Sequence, residues 1–116
     1  MSCFWDTIIV RMRNRLLENI NKDDINPKNI VDFLKKHNIK TLNVKWNGDF
    51  LSKQQLIENQ EHIKNYNIDT VNEGYLCSTC DPFLLLLCEI YNIDINNNYL
   101  NNNIIYNNIL NISKKK

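Results

Sequence analysis

The 116-residue chain contains no alanine and has only two glycines, two prolines and two histidines. No run of about 18 apolar residues is present, and because a membrane-spanning helix needs that length, we expect no contact with a membrane. No basic segment followed by an apolar one stands at the N-terminus, so we expect no secretory signal. These absences predict an intracellular protein whose four cysteines are free thiols rather than a disulfide framework.

Neither sign of charge dominates the sequence. There are 14 lysines and arginines against 13 aspartates and glutamates, for a net charge of +1. A protein that binds nucleic acid without sequence preference neutralises many phosphates with basic residues, so we do not expect nucleic acid as a partner. Arg11, Arg13 and Arg15 form a local basic group. We interpret two of them as solvated and one as packing its aliphatic stem along the core.

Asparagine and isoleucine are abundant, and lysine and tyrosine are plentiful. Codons for these residues are rich in A and T, so the base composition of an AT-rich virus or microbe explains their number without reference to function. We interpret much of the asparagine as filler at exposed sites. The Asn-rich segment from Asn96 to Asn103 is interrupted by Tyr99 and Leu100 and is too short to form a disordered domain.

Apolar residues that recur every three or four positions predict four helices, at residues 3–20, 26–37, 52–66 and 81–90. Asn26 followed by Pro27 is typical of a helix start, and Ser52 with Gln55 matches a capping box. Asp81–Pro82 similarly predicts the start of the fourth helix. The segment that follows is nearly all apolar, so we expect this helix to be buried on every side.

Short alternating segments predict strands at residues 41–46, 92–95, 104–106 and 109–112. Asn47–Gly48 and Asn107–Asn108 are the expected turns, because asparagine and glycine tolerate positive φ. Most of these strands follow the last helix. We therefore predict a single α+β domain over residues 1–116, in which several helices are followed by a small antiparallel sheet packed on the buried helix.

Two cysteines, Cys77 and Cys80, stand just ahead of the predicted fourth helix. The positive end of a helix stabilises a thiolate, so the pair could form a redox site. It could also begin a zinc site, but zinc needs four ligands, and His37 and His62 lack paired spacing. The simpler interpretation is that both thiols pack around the helix start as Cys88 does within the helix. We expect no cofactor, with Cys77 and Cys80 as weak candidates for metal ligands.

A different cysteine, Cys3, stands at the start of the first predicted helix. A cysteine at that end of a helix has a lowered pKa, which favours the nucleophilic thiolate. Phe4, Trp5 and Ile8 would anchor the helix in the core, as in papain-like enzymes. Cys3 is therefore the candidate catalytic nucleophile.

The segment Ser-Cys-Phe-Trp-Asp-Thr-Ile at residues 2–8 resembles the nucleophile segment of the ovarian-tumour (OTU) family of papain-like cysteine proteases. In that family two large apolar residues follow a cysteine at a helix start. The later order is similar as well, with Gly74-Tyr75-Leu76, the apolar helix at 81–90 and the strands at 92–95 and 104–106. The resemblance implies an OTU-like fold and a protein partner such as a ubiquitin-like protein. The Asn-rich, alanine-free composition with this outline also looks like small proteins of large DNA viruses, which makes another virion protein the other expected partner.

Two features depart from the family pattern. OTU proteases usually carry an aspartate three residues before the cysteine, and here only Met1 and Ser2 precede Cys3. Their general base is a histidine on or just after a late strand, a position that neither His37 nor His62 occupies. A cysteine nucleophile needs an imidazole within hydrogen-bond reach, so efficient acyl transfer is not expected.

These departures predict a catalytically degenerate OTU-like domain, a pseudoenzyme from a large DNA virus that acts in protein interaction or as a virion-associated structural protein. It would lie in the host cytoplasm or in the virion. Two alternatives stay open. One is a minimal cysteine protease or deubiquitinase with Cys3 as nucleophile, and the other is a thiol redox or zinc module at Cys77 and Cys80.

Overall fold

A computed structural model describes residues 3–70, 77–99 and 102–111, with the side chains of all of these except residues 3, 4, 70, 77–81, 99 and 102. The helices of this part are α1 (Cys3–Leu16), α2 (Pro27–Lys36), α3 (Lys53–Asn65) and α4 (Cys77–Tyr91). The strands are β1 (Val44–Trp46), β2 (Asp49–Phe50), β3 (Ile95–Tyr99) and β4 (Asn102–Asn108). The predicted α+β class is confirmed. Across the described residues, no helix combines the length and apolar character that crossing a membrane requires.

The starts of α2 and α3 follow the predicted caps. The side chain of Asn26 accepts a hydrogen bond from the Asn29 N–H at 2.9 Å, and Pro27 occupies the first helical turn. At α3, Ser52 Oγ accepts from the Gln55 N–H at 3.1 Å, while Gln55 Oε1 accepts from the Ser52 N–H at 2.8 Å. Both caps satisfy backbone donors that have no partner within their own helix, which is why local sequence predicts them.

Two predicted helix boundaries are wrong. Helix α1 ends at Leu16 instead of continuing to residue 20, although Ile20 is still buried below the turn that follows. Helix α4 begins at Cys77, so Asp81 and Pro82 lie within it rather than at its start. Proline accepts the helical φ, but inside the helix it removes its own N–H from the ladder and its ring crowds the carbonyl four residues earlier. The Pro82 side chain is buried.

The prediction of a central buried helix is confirmed. Every residue of α4 from Phe83 to Cys88 is at most 2% exposed, with Leu86, Leu87 and Cys88 at 0%. Helix α4 packs on α2 and α3 and on the sheet strands β1 and β4. The hydrophobic core therefore surrounds α4 and is completed by the apolar stripe of α1, whose buried members are Trp5, Ile8, Met12 and Leu16.

The sheet is antiparallel throughout, with the order β2-β1-β4-β3. Strands β1 and β2 lie between α2 and α3 in the chain, so the predicted sequence of helices followed by a sheet is wrong in this detail. The predicted turn at Asn47–Gly48 is confirmed, because both residues have positive φ, of 50° and 92°, and they join β1 to β2. Sequence analysis missed β2, which is only two residues long.

The C-terminal strands are displaced from their predicted positions. Of the predicted strand at 92–95, residues 92–94 form the link before β3, where Asn92 adopts a φ of 53°, and only Ile95 belongs to β3. The predicted turn at Asn107–Asn108 is wrong, because both residues belong to β4 and pair with Lys45 and Val44 of β1. The predicted strand at 109–112 is a turn at residues 109–110, and residue 112 lies outside the described residues.

Candidate functional site

The first turn of α1 is held against α4 by aromatic contacts. Trp5 is 2% exposed, and its ring meets that of Phe83 edge-on with centroids 5.3 Å apart. Tyr66, just after α3, meets Phe83 in the same manner at 5.0 Å. The predicted anchoring role of Trp5 therefore agrees with the structure, and the backbone of Cys3 is placed at the first residue of α1. The side chain of Cys3 lies outside the described residues.

The two histidines are both exposed. His37 closes the C-terminal end of α2, where its Nδ1 lies 3.0 Å from the carbonyl oxygen of Phe33 and its ring stacks on the Phe33 ring at 4.3 Å. His62 lies on the solvent side of α3. Within the described residues, neither imidazole has a carboxylate or thiol partner. The structure therefore does not identify a general base for Cys3.

The prediction that Cys77 and Cys80 stand ahead of the last helix is wrong, because they are its first and fourth residues. Their side chains lie outside the described residues. Cys88, two turns further along α4, is fully buried among apolar side chains as predicted. Across the part of the chain that is described, no three His, Cys, Asp or Glu side chains come together in a way that could hold a metal ion.

A buried polar cluster joins the C-terminal half of α4 to the sheet. Asn108, at 0% exposure, donates from Nδ2 to the Cys88 carbonyl at 2.7 Å and accepts from the Leu110 N–H at 2.6 Å. Its main-chain N–H donates to Asp94 Oδ1 at 2.8 Å. These bonds replace the water that the polar groups lose on burial, so the cluster sets the position of the sheet on α4.

A second polar contact ties the same helix to the chain just before β1. Asn43 donates to both carboxylate oxygens of Glu89, from its main-chain N–H at 2.9 Å and from its side chain at 2.8 Å. Sequence analysis missed Asn43, Glu89 and Asn108. Only Asn108 left a signal, because it continues the alternation of Ile104 and Tyr106 on one face of β4.

All three arginines of the local basic group are exposed, so the structure does not separate one stem packed on the core from two solvated side chains. Arg15 differs from the other two because it donates to the main-chain carbonyl of Tyr91 and places its guanidinium 5.6 Å from the centre of the Tyr91 ring. Arg15 also pairs with Glu18 at 3.6 Å. Tyr91 is 2% exposed, and its hydroxyl is buried without a hydrogen-bond partner among the described groups. Burial raises the pKa of Tyr91, the charge of Glu18 raises it further, and Arg15 opposes both.

The sheet has an inner face toward α4 and an outer face toward solvent. Lys45 pairs with Phe50 on one side and with Asn107 on the other, so these side chains form one row of the outer face. Ile105 lies two residues along β4 from Asn107 and is paired with Asn96. Hereafter the outer face means these five residues.

The outer face carries two large apolar side chains that no described residue buries. Phe50 is 54% exposed and Ile105 is 43% exposed. Lys45 Nζ lies 5.0 Å from the centre of the Phe50 ring, which places one positive charge beside the apolar surface.

No protein-family model matches the chain, and neither does any curated protein or any solved structure. The OTU resemblance therefore stays a prediction from short motifs.

Proposed function

We propose that the chain is a protein-interaction domain on an OTU-like scaffold and that it does not act as a protease. The observation that carries the proposal is the outer face, where Phe50 and Ile105 stay exposed on either side of Lys45 while the opposite face of the sheet is buried on α4. A sheet that buries one face on its own core and leaves apolar groups on the other is typical of a docking surface.

The chemistry of the outer face defines its partner. Lys45 is the only charged residue among the five, so the partner presents a carboxylate opposite Lys45 and apolar side chains opposite Phe50 and Ile105. The OTU resemblance implies a ubiquitin-like protein as one partner class, and the virus-like composition implies another virion protein as the second. The virion-associated role belongs to this proposal as well.

The OTU-like scaffold is supported by the placement of Cys3 at the start of α1, by the anchoring of Trp5 and by the packing of buried α4 on the sheet. The absence of catalysis is supported by the two exposed histidines, of which His37 interacts with the carbonyl of its own helix. A papain-type thiolate forms efficiently only when an imidazole takes its proton.

The first test is labelling with a ubiquitin-based electrophile at neutral pH, with wild type compared against Cys3→Ala. We expect no covalent adduct with either protein, while circular dichroism shows that both are folded. An adduct that only Cys3→Ala abolishes would contradict the proposal. It would favour the alternative of a minimal deubiquitinase with Cys3 as nucleophile.

The second test compares proteins that are crosslinked to wild type with those crosslinked to the Phe50→Ser/Ile105→Ser double variant in cells that express the chain. Val10→Ser is the matched control, because Val10 is 79% exposed but lies on α1, away from the sheet. We expect partners that wild type and Val10→Ser share and that the double variant loses. Equal recovery by all three proteins would contradict a docking role for the outer face.

A further inference from the structure

One edge of the sheet is long enough to pair with another strand. The order β2-β1-β4-β3 places β2 and β3 at the two edges, and β2 has two residues against five in β3. Strand β3 pairs with β4 over all five of its residues without a bulge. Among the described elements, only β4 lies beside it.

The register shows which backbone groups of β3 point away from the sheet. Ile105 accepts from the Asn47 N–H at 2.8 Å, so its backbone faces β1. The N–H and C=O groups of successive residues in a strand point to opposite sides, so those of Ile104 and Tyr106 point toward β3. Ile104 pairs with Asn97, and therefore the N–H and C=O groups of Asn96 and Asn98 point outward at the free edge.

Strand β3 lacks the features that usually protect an edge. Natural edge strands carry lysine, proline, a bulge or an inward-pointing charge that discourages pairing with another chain. Strand β3 reads Ile-Asn-Asn-Asn-Tyr and contains none of these. The charged residue that precedes β3 in the sequence, Asp94, accepts a hydrogen bond from the Asn108 N–H. Asn96 and Asn98 are both exposed, so their amides are open to a second strand.

We propose that a second copy of this chain pairs with β3, edge to edge and antiparallel, about a two-fold axis that passes through Asn97. In that register, Asn96 of each copy lies opposite Asn98 of the other, and the outward main-chain groups form four hydrogen bonds. The facing side chains are uncharged amides that both donate and accept hydrogen bonds, so the Asn96 amide of one copy can bond the Asn98 amide of the other. The two sheets become one sheet of eight strands.

A second copy fits this edge better than an unrelated peptide does. A foreign strand would require matched side chains, whereas an isologous contact requires only that the strand complement itself, and the sequence Asn-Asn-Asn satisfies this condition. The net charge of +1 adds little repulsion between copies. Four hydrogen bonds and a narrow contact give a weak dimer, with a dissociation constant on the order of 0.1–1 mM. The dimer uses the main-chain groups at the edge of the sheet, so it does not depend on the outer-face proposal, although the two surfaces share Asn96.

Sedimentation velocity of the full chain from about 10 µM to about 1 mM tests the proposal. We expect wild type to shift from its 13.8 kDa monomer toward a dimer as concentration rises. Asn96→Lys/Asn98→Lys places like charges across the interface and should weaken dimerisation at least tenfold. Asn103→Lys is the matched control, because Asn103 pairs with Asn98 within the chain but lies on interior strand β4.

A charge-reversal experiment separates edge pairing from a loss of folding. Asn96→Asp/Asn98→Asp should also be monomeric alone, and a mixture of the lysine and aspartate double variants should recover the dimer. Phe50→Ser should dimerise as wild type does, which separates this interface from the outer face. The proposal would be overturned if wild type stayed monomeric or if the mixture of the two double variants stayed monomeric. It would also be overturned if Asn103→Lys weakened dimerisation as much as Asn96→Lys/Asn98→Lys does.

Discussion

Replacing Asn108 by alanine tests whether the buried polar cluster holds the sheet on α4. The side chain of Asn108 is fully buried and bonds Cys88 in the helix and Leu110 in the turn after β4. The main-chain N–H that bonds Asp94 is unaffected by the substitution. The variant therefore removes the two short side-chain hydrogen bonds and a longer one, from Asn108 Nδ2 to Asn92 Oδ1 at 3.3 Å, and leaves the β4 ladder intact.

The size of the effect follows from what remains bonded afterwards. The Cys88 carbonyl keeps a second donor, the Ile93 N–H at 3.3 Å, and the N–H of exposed Leu110 can reach water. Neither group then bears the full penalty of burial without a partner. The two short hydrogen bonds at about 1 kcal/mol each give an expected loss of about 2 kcal/mol in the free energy of unfolding, and the longer bond adds little because water can replace it at exposed Asn92. For a domain of this size the midpoint of thermal unfolding falls by about 8 °C.

Urea unfolding followed by the fluorescence of Trp5 and Trp46 measures this loss. Asn103→Ala is the matched control, because Asn103 lies on the same strand but is exposed, and its loss should stay within about 0.5 kcal/mol. An unchanged dependence on urea concentration would show that both variants unfold from the same compact state. If Asn108→Ala is as stable as Asn103→Ala, the buried hydrogen bonds of Asn108 do not hold the sheet on α4.

Three further substitutions test other features of the fold by urea unfolding. Tyr91→Phe should raise stability by about 1 kcal/mol at neutral pH, because it removes a buried hydroxyl that has no partner among the described groups. The raised pKa of Tyr91 contributes stability to the wild type that is present below pH about 10 and is lost as the pH rises further. Tyr91→Phe should therefore lose less stability than the wild type above pH about 10, and an equal decline of both proteins would contradict this expectation. Gly48→Ala should cost about 1–2 kcal/mol through its φ of 92° alone, since no atom lies within 4 Å of the added Cβ, and an unchanged midpoint would contradict a strained turn. Ser52→Ala should cost about 1 kcal/mol by removing the cap of α3, whereas Ser52→Asp should retain most of the stability.

Local features of the sequence were read correctly where a few neighbouring residues decide the structure. Asn26 and Ser52 cap their helices as predicted, and Asn47–Gly48 turns between β1 and β2. The same local rules failed at Asp81–Pro82 and at Asn107–Asn108. Asparagine suits both a turn and a polar position in a ladder, so only the partner strand decides between them.

The candidate site was predicted less completely than the fold. The burial of Cys88 agrees with the expectation from the apolar character of the fourth helix. The outer face was not predicted. Phe50 lies on a strand of two residues, too short to show alternation, and Ile105 reads from sequence as an ordinary strand residue.

The sequence by itself determined the four helices, the caps of α2 and α3, and the burial of α4, because these depend on residues within about four positions of one another. Only the tertiary structure decided the pairing of β1 with β4, the burial of Asn108 and the exposure of Phe50 and Ile105. These features join segments about 60 residues apart in the chain, as in the pair Lys45 and Asn107. Pairing across such a distance is set by which faces the core buries, and local residue preferences do not record it.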